Sequence, residues 1–213
     1  PLIVPDVGRG QEILIKDTIK AYQEAAGMAA ELKPDTIVVI SPHAVMYADY
    51  FHVSPGKEAR GDFGRFMAPQ IGVEAGYDEA FVRELDRLCG DDDFPMGTEG
   101  EREKELDHGT LVPLYFINQH YRDYKLVRIG GSGLSFADHY RAGRYIARAA
   151  ENLGRSVFIV ASGDLSHMGT VSRGRNMMSG SWMSWEKRNL GSCWLFRKTS
   201  AKRQGNAATA ALP

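Results

Sequence analysis

The chain has little of what marks a secreted or membrane-bound protein. Its only two cysteines, Cys89 and Cys193, follow no motif spacing, which excludes a disulfide-stabilised scaffold and is typical of a reducing, cytoplasmic protein. No apolar run approaches the ~18 residues of a membrane span. The opening residues lack the basic and apolar segments of a signal peptide. The chain also lacks an initiator methionine, so we expect the natural start to lie before Pro1.

The composition is that of an ordinary globular domain. Of the 213 residues, 43% are hydrophobic and 25% are charged, which excludes a disordered chain, a collagen-like fibre and a coiled coil. The length suits one domain or slightly more, and it is sufficient to bury a sizeable core.

The net charge of −1 conceals a sharp division along the chain. Residues 168–213 hold eight of the 26 Lys and Arg but one of the 27 Asp and Glu, so this tail carries +7 and the rest −8. All three tryptophans lie in the same tail. Such an asymmetry indicates either an interaction tail for nucleic acid or a membrane surface, or two unrelated sequences joined together.

Strands and helices are predicted to alternate along the first 167 residues. Short β-branched or apolar runs predict buried strands, and apolar positions at helical spacing predict helices. This alternation predicts an α/β sandwich around a largely parallel sheet. The predicted strands are 36–40, 125–129 and 156–161, and the predicted helices are 11–32, 78–88, 110–118 and 137–153, with Asp78 as an N-cap and Gly154 as a C-cap.

Polar residues cluster where the predicted strands end. Ser41-Pro42-His43 follows the first strand, and residues 162–167 (SGDLSH) follow the last. A further cluster, Asp107-His108-Gly109, precedes a helix. Ligands of open α/β sheets bind at the carboxyl ends of the strands, so we expect these residues to line one crevice.

The six histidines fall into two groups. Ordinary surface or packing roles are expected for His52, His120 and His139. The other three, His43, His108 and His167, each follow a small or acidic residue in a loop. Any one of them alone would fit a loop histidine bonded to backbone, but three in equivalent places favour a shared site. Imidazole is a common metal ligand and a common acid or base near neutral pH.

Other motifs give no support to competing chemistries. The glycine turn 130–133 lacks the pattern of a nucleotide-binding loop. Neither cysteine lies beside a histidine motif, so a thiol nucleophile is unsupported. The segment Gly61–Phe66 (GDFGRF) is interpreted as a loop with an aromatic anchor, because the rest of the kinase motif set is absent.

Five segments in order carry a family resemblance: PLIVPDVG, KPDTIVVISPHA, HVSPGKEARGDFGRF, LDHGTLVPLYFI and ASGDLSH. Together they resemble the class III extradiol ring-cleavage dioxygenase superfamily, and more narrowly its AmmeMemoRadiSam system branch. The resemblance covers residues 1–167. It implies a three-layer α/β sandwich around a largely parallel central sheet.

The resemblance implies a non-haem Fe(II) site with two histidines and one glutamate. His43 matches one metal ligand. The other histidine belongs to a His-Pro-Pro motif that would begin before Pro1, and the glutamate lies in the family's C-terminal part. His108 and His167 match the catalytic pair that accepts a phenol proton and delivers it to oxygen. Asp107 and Asp164 would orient these rings or, equally, serve as turn or helix caps.

The resemblance is expected to stop at His167. For residues 175–212, synonymous codons can be chosen so that an overlapping reading frame gives an acidic, amphipathic segment with a Gly-Glu-Cys-Gly stretch. That segment resembles the family's glutamate-bearing part. We therefore hypothesise that residues 168–213 are a frameshift product and are poorly ordered.

The sequence thus favours an Fe(II)-dependent extradiol dioxygenase-like oxidoreductase acting on a catechol-type aromatic with O₂, inactive as this chain. The alternative is a non-catalytic Memo-like or AmmeMemoRadiSam accessory protein with a vestigial metal cleft. A nucleic-acid or membrane binder using the tail ranks below both, because the frameshift hypothesis explains the same residues. A homo-oligomer or AmmeMemoRadiSam system partners are compatible with either of the first two functions.

Overall fold

A computed structural model describes residues 1–163 and the backbone of residues 193–198. A central sheet has the strand order β6-β1-β7-β8, where β6 (Lys125–Gly130), β1 (Thr36–Ser41) and β7 (Val157–Ser162) are parallel. The fourth strand, β8 (Cys193–Lys198), pairs antiparallel with β7. The predicted α/β architecture with a largely parallel sheet is confirmed.

Two apolar layers enclose this sheet because the side chains of β1 alternate between them. Ile37 and Val39 lie in one cluster and Val38 in the other, and all three are fully buried. The first layer contains α2 (Lys16–Leu32) and α4 (His108–Ile117), and the second contains α3 (Glu79–Asp91) and α5 (Phe136–Leu153). The sheet is therefore the middle layer of three.

Helix ends follow the predicted capping chemistry. Asp78 caps α3 by accepting a hydrogen bond from the Phe81 amide at 3.1 Å, and its other oxygen accepts one from buried Thr36 at 2.7 Å. Gly154 ends α5 in the left-handed conformation, with φ 63°. The first long helix begins later than predicted, because residues Gln11–Ile15 form a 3₁₀ turn before α2.

A β-hairpin lies where no strands were predicted. Strands β3 (Glu58–Phe63) and β4 (Ala68–Gly76) pair antiparallel, joined by a 3₁₀ turn at Gly64–Phe66. The interpretation of Gly61–Phe66 as a loop is therefore wrong for its first half, although Phe63 is a fully buried aromatic anchor. Charged residues and a glycine give β3 little strand propensity, so its pairing depends on β4 and the packing beneath it.

The remaining elements are short. Helix α1 (Pro5–Gly8) precedes the 3₁₀ turn, and β2 (Phe51–His52) pairs parallel with β5 (Met96–Gly97). Strand β8 lies inside the tail that was expected to be poorly ordered, and residues 164–192 and 199–213 lie outside the described residues. The order of the tail and its frameshift origin stay predictions. Within the described part of the chain, no helix is both long and apolar enough to span a membrane.

Candidate active site

The first histidine of the site follows a serine turn at the end of β1. Ser41 is fully buried, and its hydroxyl oxygen accepts a hydrogen bond from the His43 backbone amide at 3.1 Å. A serine hydroxyl that accepts from the amide two residues later stabilises a tight turn. The turn directs the chain out of the sheet, and His43 is exposed.

The second histidine is the first residue of α4, and Asp107 caps that helix. The Asp107 carboxylate accepts hydrogen bonds from the Thr110 amide at 3.1 Å and from the Thr110 hydroxyl at 2.8 Å. It also accepts one from the Ser41 hydroxyl at 2.5 Å. One carboxylate thus fixes the start of α4 and joins it to the end of β1.

Gly109 permits this close approach. A Cβ atom at this position would overlap the Ser41 hydroxyl oxygen, and it would lie 3.0 Å from an Asp107 carboxylate oxygen and 3.1 Å from the His43 ring. The first turn of α4 can pack against the serine turn because this residue has no side chain.

The two imidazoles meet as a result. The ring centroids of His43 and His108 are 4.0 Å apart, with 34° between the ring planes. The Phe66 ring, from the turn of the β3–β4 hairpin, meets the half-buried His108 edge-on at 5.4 Å. Three separate elements of the chain therefore converge at one point.

The structure brings together part of the predicted site. His43 and His108 are adjacent, and Asp107 is a helix cap that holds the backbone carrying His108. His167 and Asp164 lie outside the described residues, so their roles stay predictions. Among the residues described, no three His, Cys, Asp or Glu side chains form a group that could hold a metal ion. The donors present are imidazoles, which suit iron, but they do not make a complete ligand set.

Three contributors to this site were not identified from the sequence. Ser41, Gly109 and Phe66 each adjoin a predicted site residue in space, but only the tertiary structure shows the contact. The signal for Gly109 was its place directly after Asp107-His108, where a helix begins. Phe66 gave no signal beyond its aromatic character.

The other three histidines have the structural roles expected of them. His120 and His139 are exposed near helix ends and bond to Gln23 at 2.8 Å and to the Ser135 carbonyl at 2.9 Å. His52 is fully buried in β2, and neither ring nitrogen has a hydrogen-bond partner among the described residues. Burial lowers the pKa of His52; nearby Glu101 raises it and Arg128 lowers it further.

Two further features are separate from the histidine pair. Burial raises the pKa of the Cys89 thiol to about 12, so this cysteine is not a nucleophile at neutral pH. A cleft of about 970 Å³ opens between the β3–β4 hairpin and the carboxyl end of α4, where Tyr115 and Tyr124 line it. Neither His43 nor His108 lines this cleft.

Comparison with known proteins identifies relatives of the chain. A family model described as the catalytic LigB subunit of aromatic ring-opening dioxygenase matches residues 1–189, which extends beyond the expected limit at residue 167. Protein CA_C1420 of Clostridium acetobutylicum is 37% identical over 174 residues, covering 78% of this chain and 37% of that protein. The 3,4-dihydroxyphenylacetate 2,3-dioxygenase of Escherichia coli is 26% identical over 155 residues, covering 70% of this chain and 55% of that enzyme. The chain spans well under two thirds of either relative.

Replacing Gly109 tests the close packing beneath the histidine pair. We expect Gly109→Ala to lower the free energy of unfolding by about 1–3 kcal/mol, because its methyl group would force α4 away from Ser41. Gly143→Ala is the matched control in α5, where a Cβ meets nothing within 4 Å, and we expect it to stabilise by about 0.5–1 kcal/mol. Urea unfolding measures both. Equal stability of the two variants would contradict the packing described.

The buried His52 predicts a pH-dependent stability. The folded state resists protonating this ring, whereas the unfolded chain takes up the proton near its ordinary pKa of 6.5. The free energy of unfolding should therefore fall as the pH drops below about 6.5, with His52 contributing at most about 1.4 kcal/mol per pH unit. Urea titrations at several pH values should show a shallower slope for His52→Gln than for the wild type or for His120→Gln. An unchanged slope in His52→Gln would rule out this origin.

Proposed function

The chain belongs to the family of the catalytic LigB subunit of aromatic ring-opening dioxygenases, and from this premise we propose that it is an extradiol dioxygenase-like oxidoreductase. Its ligands in this proposal are non-haem Fe(II), O₂ and a catechol-type aromatic. We place it in the cytoplasm and in aromatic compound metabolism, without nucleic-acid or membrane partners. Its placement in the AmmeMemoRadiSam branch is part of the same proposal.

The meeting of His43 and His108 carries the proposal. Two imidazoles from different elements lie 4.0 Å apart at the carboxyl edge of a parallel sheet, where α/β proteins place their ligands. A buried serine and a capping aspartate fix their backbones. Two histidines with no chemical task would have no reason to be brought together in this way, because side-chain ordering costs conformational entropy.

The two histidines have different proposed roles. His43 is exposed and follows the Ser-Pro-His of the strand end, and we assign it to the metal. When bound, Fe(II) would polarise the substrate and oxygen. His108 is half-buried against Phe66, and we assign it to accepting a proton from a phenolic hydroxyl. His167 is the proposed second acid–base residue, and Asp164 its orienting carboxylate.

The proposal includes an incomplete metal site. His43 is the one proposed ligand among the described residues, and the remaining histidine and glutamate of the family pattern would come from outside them. One imidazole does not hold iron firmly, so we propose that the 213-residue chain is inactive by itself. The name of the Escherichia coli relative supports a catechol as substrate, since 3,4-dihydroxyphenylacetate has two adjacent phenolic hydroxyls.

Iron analysis with oxygen uptake tests the function. We expect the 213-residue chain to bind well under one equivalent of Fe(II) after anaerobic loading and to leave oxygen unconsumed with 3,4-dihydroxyphenylacetate. A version completed with the family's His-Pro-Pro and glutamate segments should bind about one iron and cleave the ring, which the yellow ring-opened product reports.

Three variants of the completed version separate the roles. His43→Ala should lose the iron. His108→Ala should keep the iron and lose about 10²–10⁴-fold in turnover, the range of general acid–base catalysis. His120→Ala, an exposed histidine bonded to Gln23, is the control and should change neither. Iron bound without any ring cleavage across a panel of catechols would reject the oxygenase and support the Memo-like accessory protein.

A further inference from the structure

A fully buried arginine lies in the central sheet on the side that faces the candidate site. Arg128 belongs to β6, and its neighbours Val127 and Ile129 are buried apolar residues. Its guanidinium donates one hydrogen bond to the Glu105 carbonyl and another to the Glu103 carbonyl, both at 2.8 Å. A buried charge is costly unless it is well hydrogen-bonded, so an arginine at this position needs a specific task.

The two carbonyls belong to the loop that leads into the site. Residues 98–107 have no regular structure, and the side chains at 102–105 are exposed and charged. Beyond the two bonds from Arg128, the Tyr47 hydroxyl donates to the Gly100 carbonyl at 2.6 Å, and the Leu106 amide donates to the Arg60 carbonyl at 2.9 Å. The loop backbone is thus fastened to the fold although its side chains are in solvent.

The last of these fastenings lies directly before the catalytic segment. Glu103 and Glu105 are bound by Arg128, Asp107 caps α4 two residues later, and His108 follows. The guanidinium is planar and rigid, so its two nitrogens fix both the height and the direction of the loop backbone. A loop released here would free the Asp107 carboxylate to move away from Ser41.

We propose that Arg128 is a positioning residue for His108. Its two bonds to the loop backbone set where Asp107 meets Ser41, and hence where the His108 ring meets His43. A catalytic consequence rests on the proposed function, but the positioning does not, so the two are tested separately.

Hydrogen exchange on the 213-residue chain tests the positioning without any turnover. We expect Arg128→Met, which keeps a long apolar side chain, to accelerate amide exchange in residues 99–110 by roughly tenfold or more, because two charge-assisted hydrogen bonds are lost. Arg122→Met is the matched control, since exposed Arg122 also donates to a backbone carbonyl, that of Asn118 at 2.7 Å. It should leave residues 99–110 unchanged.

A second readout reports the ring geometry. The wild type should show a nuclear Overhauser effect between the His108 and Phe66 rings, and Arg128→Met should weaken or lose it. Arg128→Lys keeps the charge and one donor, so we expect an intermediate exchange rate and partial recovery of the ring contact. Exchange that accelerates equally in α3 and α5 would mark Arg128 as a general core residue and overturn the proposal.

The wild type alone also gives a decision if the variants do not fold. Nitrogen-15 spectra of the arginine side chains should show separate, slowly exchanging Nη signals for Arg128, as expected for a guanidinium fixed by two carbonyls. A single averaged signal with solvent-like exchange would overturn the proposal. With a completed, iron-loaded version, ring cleavage lost in Arg128→Lys while iron stays bound supports the catalytic consequence; unchanged cleavage rejects that consequence alone.

Discussion

The candidate site depends on one hydrogen bond, from the Ser41 hydroxyl to the Asp107 carboxylate. It connects residues 66 positions apart in the chain. The same serine hydroxyl accepts the His43 amide, and the same carboxylate caps the helix that begins at His108. Because one pair of side chains serves both backbones, the positions of the two imidazoles are coupled. Gly109 is required on steric grounds, since any side chain there would occupy the space of this bond.

Support for this bond comes from both sides of the sheet edge. The parallel pairing of β1 with β6 and β7 fixes the end of β1 and therefore Ser41. The guanidinium of Arg128, buried in β6, holds the loop that ends at Asp107. The hairpin turn contributes Phe66 against His108. Such a shell of residues, which touch no substrate themselves, is how protein sites keep catalytic groups in a productive geometry.

Much of this arrangement could be predicted from the sequence. The run Thr36–Ile40 is buried on both faces as predicted, since a parallel strand between two helical layers needs apolar residues at every position. The convergence of His43 and His108 followed from their places at a strand end and a helix start. The hairpin could not be predicted, because Gly61 and three charged residues in β3 hide its inward alternation. Arg128 was passed over as an ordinary charge, although a lone arginine in an apolar parallel strand is a signal of buried use.

A double-mutant cycle on Ser41 and Asp107 tests the account most directly. The free energies of unfolding of Ser41→Ala, Asp107→Ala and the double variant would be measured by urea denaturation and compared with the wild type. If the bond joins the two elements as described, the two substitutions should be coupled by about 1–3 kcal/mol, the range for a hydrogen bond to a charged group. Effects that add to within about 0.5 kcal/mol would show that the serine turn and the helix cap are independent, and the coupled histidine pair would be contradicted.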